Sequence, residues 1–256
     1  SPPLQSSLNQ LPFVSMKATN WEFKNRAMLF GMVFAFTFPL YALDSQNSAS
    51  ALADLLAPKL HMNADRLAQL LLGCGAFVLI IAASIRTWAS AYLHAEVVYA
   101  AEVKTKSLVA DGPYRFVRNP LYLANVLMAV ALGAMMSRLG FIVAIAAMLL
   151  FCYRLILREE ADLRTTQGDS YHRYCAAVPR LLPALTPRIA SSGRPAKWGA
   201  GFKAEAWYWG FAAGEVVFAI TLKLKFFFVI LAASVLLFWV SSFLSQKKSN
   251  SKAARP

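Results

Sequence analysis

Apolar runs at residues 27–43, 67–93, 120–137, 139–157, 206–222 and 226–244 leave this chain little choice of fold. A helix rises about 1.5 Å per residue, and a bilayer core is about 30 Å thick, so each run approaches or reaches the length of a membrane span. Run 27–43 is short and needs its flanking residues to complete it, and Pro39 is placed to kink its far end. Only 15% of the residues are charged, against about 25% in an ordinary soluble domain, and the mean hydropathy is +0.47. The net charge of +13 raises the question of nucleic acid, but the charges sit at the ends of the apolar runs. That placement suits anionic lipid headgroups and membrane orientation, so no nucleic-acid partner is expected.

The expected fold is therefore all-α: a multi-pass integral membrane helical bundle of about six transmembrane helices, with its site in a cytoplasmic pocket. With the N-terminus inside, 19 lysines and arginines fall on inside segments and 5 on outside links, which puts both termini in the cytoplasm. Three parts follow from the pattern: 1–93, a polar tail and the first two spans; 94–187, a polar block, a helical hairpin and a second polar block; and 188–256, a linker, two further spans and a basic tail. Ser137-Arg138 is so short a link that runs 120–137 and 139–157 must form a tight antiparallel hairpin. That hairpin returns Glu159-Glu160 to the membrane face of Arg118-Asn119. Residues 158–204 are polar and basic, and Pro179, Pro183, Pro187 and Ser191-Ser192-Gly193 predict turns there rather than long helix. Arg86, near the end of its run, is expected to snorkel. Gly73 and Gly75, and the pair Gly210 and Gly214, are expected at close helix contacts. Cys74, Cys152 and Cys175 form no Cys-x-x-Cys pair and the three histidines are scattered, so no metal site is expected.

The chemistry lies in two polar stretches. Residues 106–125 run from a basic turn into an apolar helix, with Asp111-Gly112-Pro113 as a turn signal. Asn119-Pro120 marks a helix start, with Asn as the capping acceptor and Pro at the first helical position. Tyr114, Arg118 and Tyr122 are four apart and share a face if the segment is helical, a register that Pro120 would break. By composition alone this stretch is a juxtamembrane belt of Arg and Tyr.

Leu108-Val109, Gly112-Pro113-Tyr114-Arg115 and Val117-Arg118-Asn119-Pro120-Leu121-Tyr122 resemble the signature of the isoprenylcysteine carboxyl methyltransferase family, whose superfamily includes phospholipid N-methyltransferases. The second block fits as well: Glu159-Glu160, then Gly168-Asp169-Ser170-Tyr171-His172-Arg173-Tyr174, then Val178-Pro179 and Pro183. One departure is plain, since Asn119 stands where the family has His.

The resemblance implies an enzyme that uses S-adenosyl-L-methionine and takes a lipidic or prenylated substrate laterally from the bilayer, in the bacterial inner membrane or the endoplasmic reticulum. It implies a cofactor pocket lined by Leu108, Val109, Tyr114, Pro120, Leu121, Tyr122 and Glu159, with Lys106, Ser107 and Asn119 at pocket positions as altered residues. Arg118 is expected to pair with the cofactor's carboxylate, Arg154 to orient an acidic substrate, and Glu160 to serve as a base if the acceptor is an amine. The leading acceptor is the carboxylate of a prenylcysteine-like acid; phosphatidylethanolamine and a small thiol are alternatives. Membrane sterol reductases, which use NADPH, share part of the pattern, including Tyr174-Cys175 and Val178-Pro179. They carry Asn where this chain has Leu121, and the Glu pair fits methyltransferases better. A non-enzymatic scaffold remains if Asn119 marks lost activity. For the C-terminal spans a pocket-closing, homo-oligomeric or partner-binding role is open.

Overall fold

The computed structural model describes residues 16–103 and 110–237. The described residues form nine helices and no strand: α1 (Asn20–Lys24), α2 (Arg26–Thr37), α3 (Ser48–Leu60), α4 (Ala64–Val103), α5 (Pro120–Gly133), α6 (Arg138–Ala177), α7 (Trp198–Ala204), α8 (Ala206–Thr221) and α9 (Leu224–Leu237). Two helical stretches are long and apolar enough to cross a membrane, Ala64–Leu93 and Arg138–Ala177, with mean hydropathies of 2.2 and 2.3. Arg26–Ala42, Pro120–Gly133 and Leu224–Leu237 are apolar but shorter. At about 1.5 Å per residue, α5 covers only about 21 Å, so helix length alone does not make it a full span.

Each short element has a local cause. Thr19 and Glu22 form a reciprocal capping box at α1. Pro39 ends α2, as its position predicts, and the chain tightens into a 3-10 turn over Phe38–Ala42. Asn47 caps α3 by accepting from the Ser50 amide at 3.0 Å. α3 buries a stripe of Ala49, Ala53 and Ala57, and the last two pack with Leu67 and Ala68 of α4. The four-residue spacing of the stripe gives a smooth face on which backbones approach closely.

α4 is the central post, packed against α3, α5, α7 and α8. Its small residues make this feasible. A Cβ on Gly75 would stand 3.2 Å from the Ala131 carbonyl and 2.7 Å from Glu215 Oε1, whereas Gly73 has nothing within 4 Å. Gly210 and Gly214 of α8 face Ser234 and Phe227 of α9, so this Gly-x-x-x-Gly does form a helix contact.

The hairpin of α5 and α6 closes through residues 134–137, and Ser137 caps α6 by accepting from Gly140 N at 3.0 Å. α6 then departs from expectation. It stays helical through the polar stretch to Ala177, broken only at Gly168 (φ 53°, ψ −130°). Its polar half is supported by Glu160–Arg164 and Arg158–Asp162 pairs one turn apart and by Tyr171, Tyr174 and Val178 packed on Ala110. The predicted turns begin only at Val178. From there to Ser192 the chain lies as a strap across residues 111–118. Arg118 N donates to Pro179 O at 2.9 Å, Ala184 N to Phe116 O at 2.9 Å, and Arg188 N to Arg115 O at 2.8 Å. The two polar blocks are thus stitched together through their backbones.

Candidate functional site

Where the blocks meet, a cavity of about 350 Å³ opens between α2, α4, α5, α6 and the 3-10 turn Gly112–Arg115. Its volume lies in the usual range of about 300–1,000 Å³ for small-molecule pockets. Tyr114, Arg118, Asn119, Leu121, Tyr122, Glu159 and Glu160 line it, all seven singled out from sequence. Pro120 is buried at the first position of α5 and shapes the wall rather than lining it. Arg154 lies outside the cavity, paired with Glu22 at 2.9 Å. Lys106, Ser107, Leu108 and Val109 fall outside the described residues.

The loop before α5 is held from both sides. Gly112 has φ +56°, and a side chain there would collide with the Tyr92 ring. Asp111 accepts from Ser191 Oγ at 2.8 Å, from Ser192 N at 3.0 Å and from the Ser192 hydroxyl. Burial by itself would raise the Asp111 pKa, but the Ser192 and Ser191 hydrogen bonds hold it below the ordinary value. Tyr174 Oη donates to Tyr114 O at 2.8 Å, and burial pushes the Tyr114 phenol up, so it stays protonated. Residues 112–115 form a 3-10 turn rather than α-helix, yet Tyr114, Arg118 and Tyr122 still converge because Pro120 restarts the helix in a new direction. Asn119 differs from expectation. Its side chain makes no capping bond to α5; instead Nδ2 donates to Arg180 O at 2.9 Å, fastening the strap.

Glu159 and Glu160 are adjacent and differ completely. Glu159 Oε1 accepts from Tyr122 Oη at 2.8 Å and has no cationic side chain within ion-pair distance among the described residues. Glu160 is 1% exposed and serves three arginines: Arg118 Nη1 at 3.0 Å, Arg180 Nη2 at 2.9 Å and Arg164 Nη2 at 3.2 Å. The Glu160 hydrogen bond holds the Arg180 guanidinium further above its ordinary pKa. α6 continues well past these two acids, so neither sits at a helix C-terminus, where the macrodipole would disfavour an anion. Arg118 also donates to Cys175 Sγ at 2.8 Å, and its Nε is buried without a partner.

Sequence reasoning did not assign Arg26, Phe30, Arg86, Leu93, Asn125, Leu163, Tyr171 and Tyr174 to the cavity. Tyr171 and Tyr174 belong to the second motif block, so that signal was present. Arg86 was visible as a charge inside an apolar run, but it does not snorkel. It is 15% exposed and binds Glu205 at 2.5 Å and Asn125 Oδ1 at 2.7 Å, with Ser90 Oγ donating to the same Glu205 at 2.5 Å. Its partner comes from more than a hundred residues away, so nothing local could reveal it. Arg26 has no sequence signal beyond a charge before an apolar run.

These residues fit a small zwitterionic or cationic aromatic ligand. The carboxylate of Glu159 suits an ammonium or hydroxyls, the aromatic walls suit a flat base or a cation, and the arginines suit a carboxylate.

Residues 68–168 match the phospholipid methyltransferase family. The cobalt-zinc-cadmium resistance protein CzcN of Cupriavidus metallidurans is 27% identical over 135 residues, covering 53% of this chain and 59% of that protein. The nickel-cobalt-cadmium resistance protein NccN of Alcaligenes xylosoxydans xylosoxydans is 28% identical over 101 residues, covering 40% of this chain and 44% of that protein. The matched parts thus span less than two thirds of either relative. No solved structure matches. The matched stretch carries the first motif block, the hairpin and the Glu pair, so over residues 68–168 the chain is similar to the phospholipid methyltransferase family.

Proposed function

We propose that this protein is an integral membrane methyltransferase that uses S-adenosyl-L-methionine and methylates an amphipathic acceptor drawn from the bilayer. The observation that supports this best is the convergence of both motif blocks on one cavity, closed by the Tyr122–Glu159 hydrogen bond. When bound, S-adenosyl-L-methionine supplies the electrophilic methyl group. Glu159, oriented by Tyr122, offers an acceptor for an ammonium or for hydroxyl groups. Phe30, Tyr114, Tyr171 and Tyr174 line the space and limit water, which would otherwise compete as acceptor. Arg118 is braced by Glu160 and holds the wall in place. Asn119 acts as the strap's fastener, and its amide has no titratable proton to transfer.

The acceptor in our leading reading is the carboxylate of a prenylcysteine-like acid, already ionised near neutral pH and in need only of orientation by a cation. The amine of phosphatidylethanolamine is the second reading. It draws support from Glu159, a carboxylate that forms no ion pair among the described residues and could take a proton from an ammonium. Glu160 is less available to either acceptor, because its carboxylate is engaged by Arg118, Arg164 and Arg180. Labelled S-adenosyl-L-methionine supplied with farnesylcysteine or with phosphatidylethanolamine decides between them. A methyl ester releases volatile methanol in mild base; an N-methyl lipid does not. NADPH binding without S-adenosyl-L-methionine binding would overturn the proposal in favour of a reductase.

The six-span arrangement with a cytoplasmic site belongs to the same proposal. Ser170→Cys, on the exposed polar half of α6, should be labelled from the cytoplasmic side. Labelling only from the opposite side would reverse the topology.

A further inference from the structure

Five Arg and Glu side chains line the cavity: Arg26, Arg86, Arg118, Glu159 and Glu160. Arg86 is neutralised by Glu205, and Arg118 by Glu160. Glu159 and Arg26 remain, one anion and one cation; the Arg26 charge is close enough to act on the Glu159 carboxyl, but among the described residues neither has a contact of ion-pair length. Among the described residues Arg26 makes one side-chain hydrogen bond, from Nη1 to Phe23 O at 2.8 Å, and its guanidinium lies 4.4 Å from the centre of the Phe23 ring. With Nη1 so engaged, Nε and Nη2 form the free edge of the fork. That edge carries two parallel N–H groups, the geometry that grips a carboxylate bidentately.

The fold fixes where this fork stands. Arg26 opens α2, and the short helix before it is clamped to the polar half of α6. Ala18 N donates to Arg154 O at 3.0 Å, and Arg154 pairs with Glu22. Arg158 donates to Asn20 Oδ1 at 2.5 Å and to Ala18 O at 3.2 Å. Two arginines of α6 therefore serve as latches and bring a third, from a separate part of the chain, to the cavity. Arg26 also lies outside the stretch that matches the methyltransferase family, so it is a feature of this chain rather than of that match.

We infer that Arg26 binds the carboxylate of the cavity's ligand. The inference rests on the methyltransferase reading for the ligand's identity, and two carboxylates are then available: that of the methionine moiety of S-adenosyl-L-methionine and that of an acidic acceptor. The full chain in lipid nanodiscs is titrated by calorimetry with four probes: S-adenosyl-L-methionine, its decarboxylated analogue, farnesylcysteine and farnesylcysteine methyl ester. Arg26→Ala should weaken one acid-bearing probe tenfold or more while leaving its carboxylate-free counterpart unchanged. Arg26→Lys, which keeps the charge but loses the fork, should fall between. The acid that loses affinity identifies the source. Wild-type affinity of Arg26→Ala for both acids overturns the inference, and so does an equal loss for acid and carboxylate-free probes, which marks a merely structural role. Failure of the wild type to bind S-adenosyl-L-methionine defeats the methyltransferase reading instead, and the farnesylcysteine pair then decides the case of Arg26 alone.

Discussion

Two clusters of buried charge flank the cavity, and they are balanced differently. Inside the bundle, Arg86 of α4 meets one carboxylate, Glu205, with Asn125, Ser90 and Tyr208 supplying neutral hydrogen bonds. Where the motif blocks meet, one carboxylate, Glu160, serves Arg118, Arg164 and Arg180, which leaves a surplus of positive charge. The exposures account for the difference. Glu205 is 5% exposed and Arg86 15%, whereas Arg164 and Arg180 are 41% and 35% exposed and can be solvated at their outer edges. Burying a charge is affordable only with a partner, so the interior cluster is matched one to one while the outer one tolerates an excess. Against both, Glu159 and Arg26 line the cavity with no ion pair among the described residues.

Glu205→Gln should have the largest effect. It leaves Arg86 buried without a counter-charge, at a cost of about 3–5 kcal/mol in stability, read by thermal unfolding in detergent. Arg86→Met combined with Glu205→Met should recover most of that loss, because the desolvation penalty disappears with both charges. A double variant as unstable as the single one would break the comparison.

Glu160→Gln should cost less, about 1–3 kcal/mol, because two of its three arginines already reach solvent. An equal or greater loss than for Glu205→Gln would mean that the outer cluster is as dry as the inner one.

Glu159→Gln sharpens the contrast further. Stability should change by less than about 1 kcal/mol, since no ion pair is lost, while affinity for S-adenosyl-L-methionine should fall about tenfold by calorimetry. Unchanged affinity would remove Glu159 from the ligand site.

The smallest effect concerns the Glu22–Arg154 latch. The hydrogen bond from Arg154, then that from Thr19 N, lowers the Glu22 pKa from 4.5 to about 2. A carboxyl depressed in the folded state stabilises above its unfolded pKa, and that contribution is lost as pH falls through the folded one. The stability gap between the wild type and Glu22→Gln, about 0.5–1 kcal/mol, should therefore be full above pH 4.5 and close toward pH 2. A gap that widens on acidification would show that the latch is not ionic.

Much of this molecule is written along the chain. Hydrophobic run length predicts α4 and the apolar half of α6, and the Ser137-Arg138 link predicts the hairpin, because both depend on near neighbours alone. Pro39 and Pro120 mark where helices stop and start for the same reason. Pro179, Pro183, Pro187 and Ser191-Ser192-Gly193 mark turns, and the chain leaves helix there; no local signal shows that residues 158–177 stay helical, where Tyr171, Tyr174 and Val178 pack on Ala110 of the other block. Asn119 before Pro120 predicts a cap, but the strap places the Arg180 carbonyl within reach and takes its amide.

By itself, then, the sequence determined the helical class, the long apolar stretches, the hairpin and the positions of the two polar blocks, all consequences of local hydropathy and turn chemistry. Only the tertiary structure decided which charges meet. Glu159 and Glu160 are indistinguishable as neighbours in a string, and their difference arises because three arginines, two of them sequence-distant, surround one and a single tyrosine faces the other. Arg86 found Glu205 and Arg26 reached the cavity through contacts between distant segments. The cost of burying a charge depends on everything packed around it, which no local pattern records.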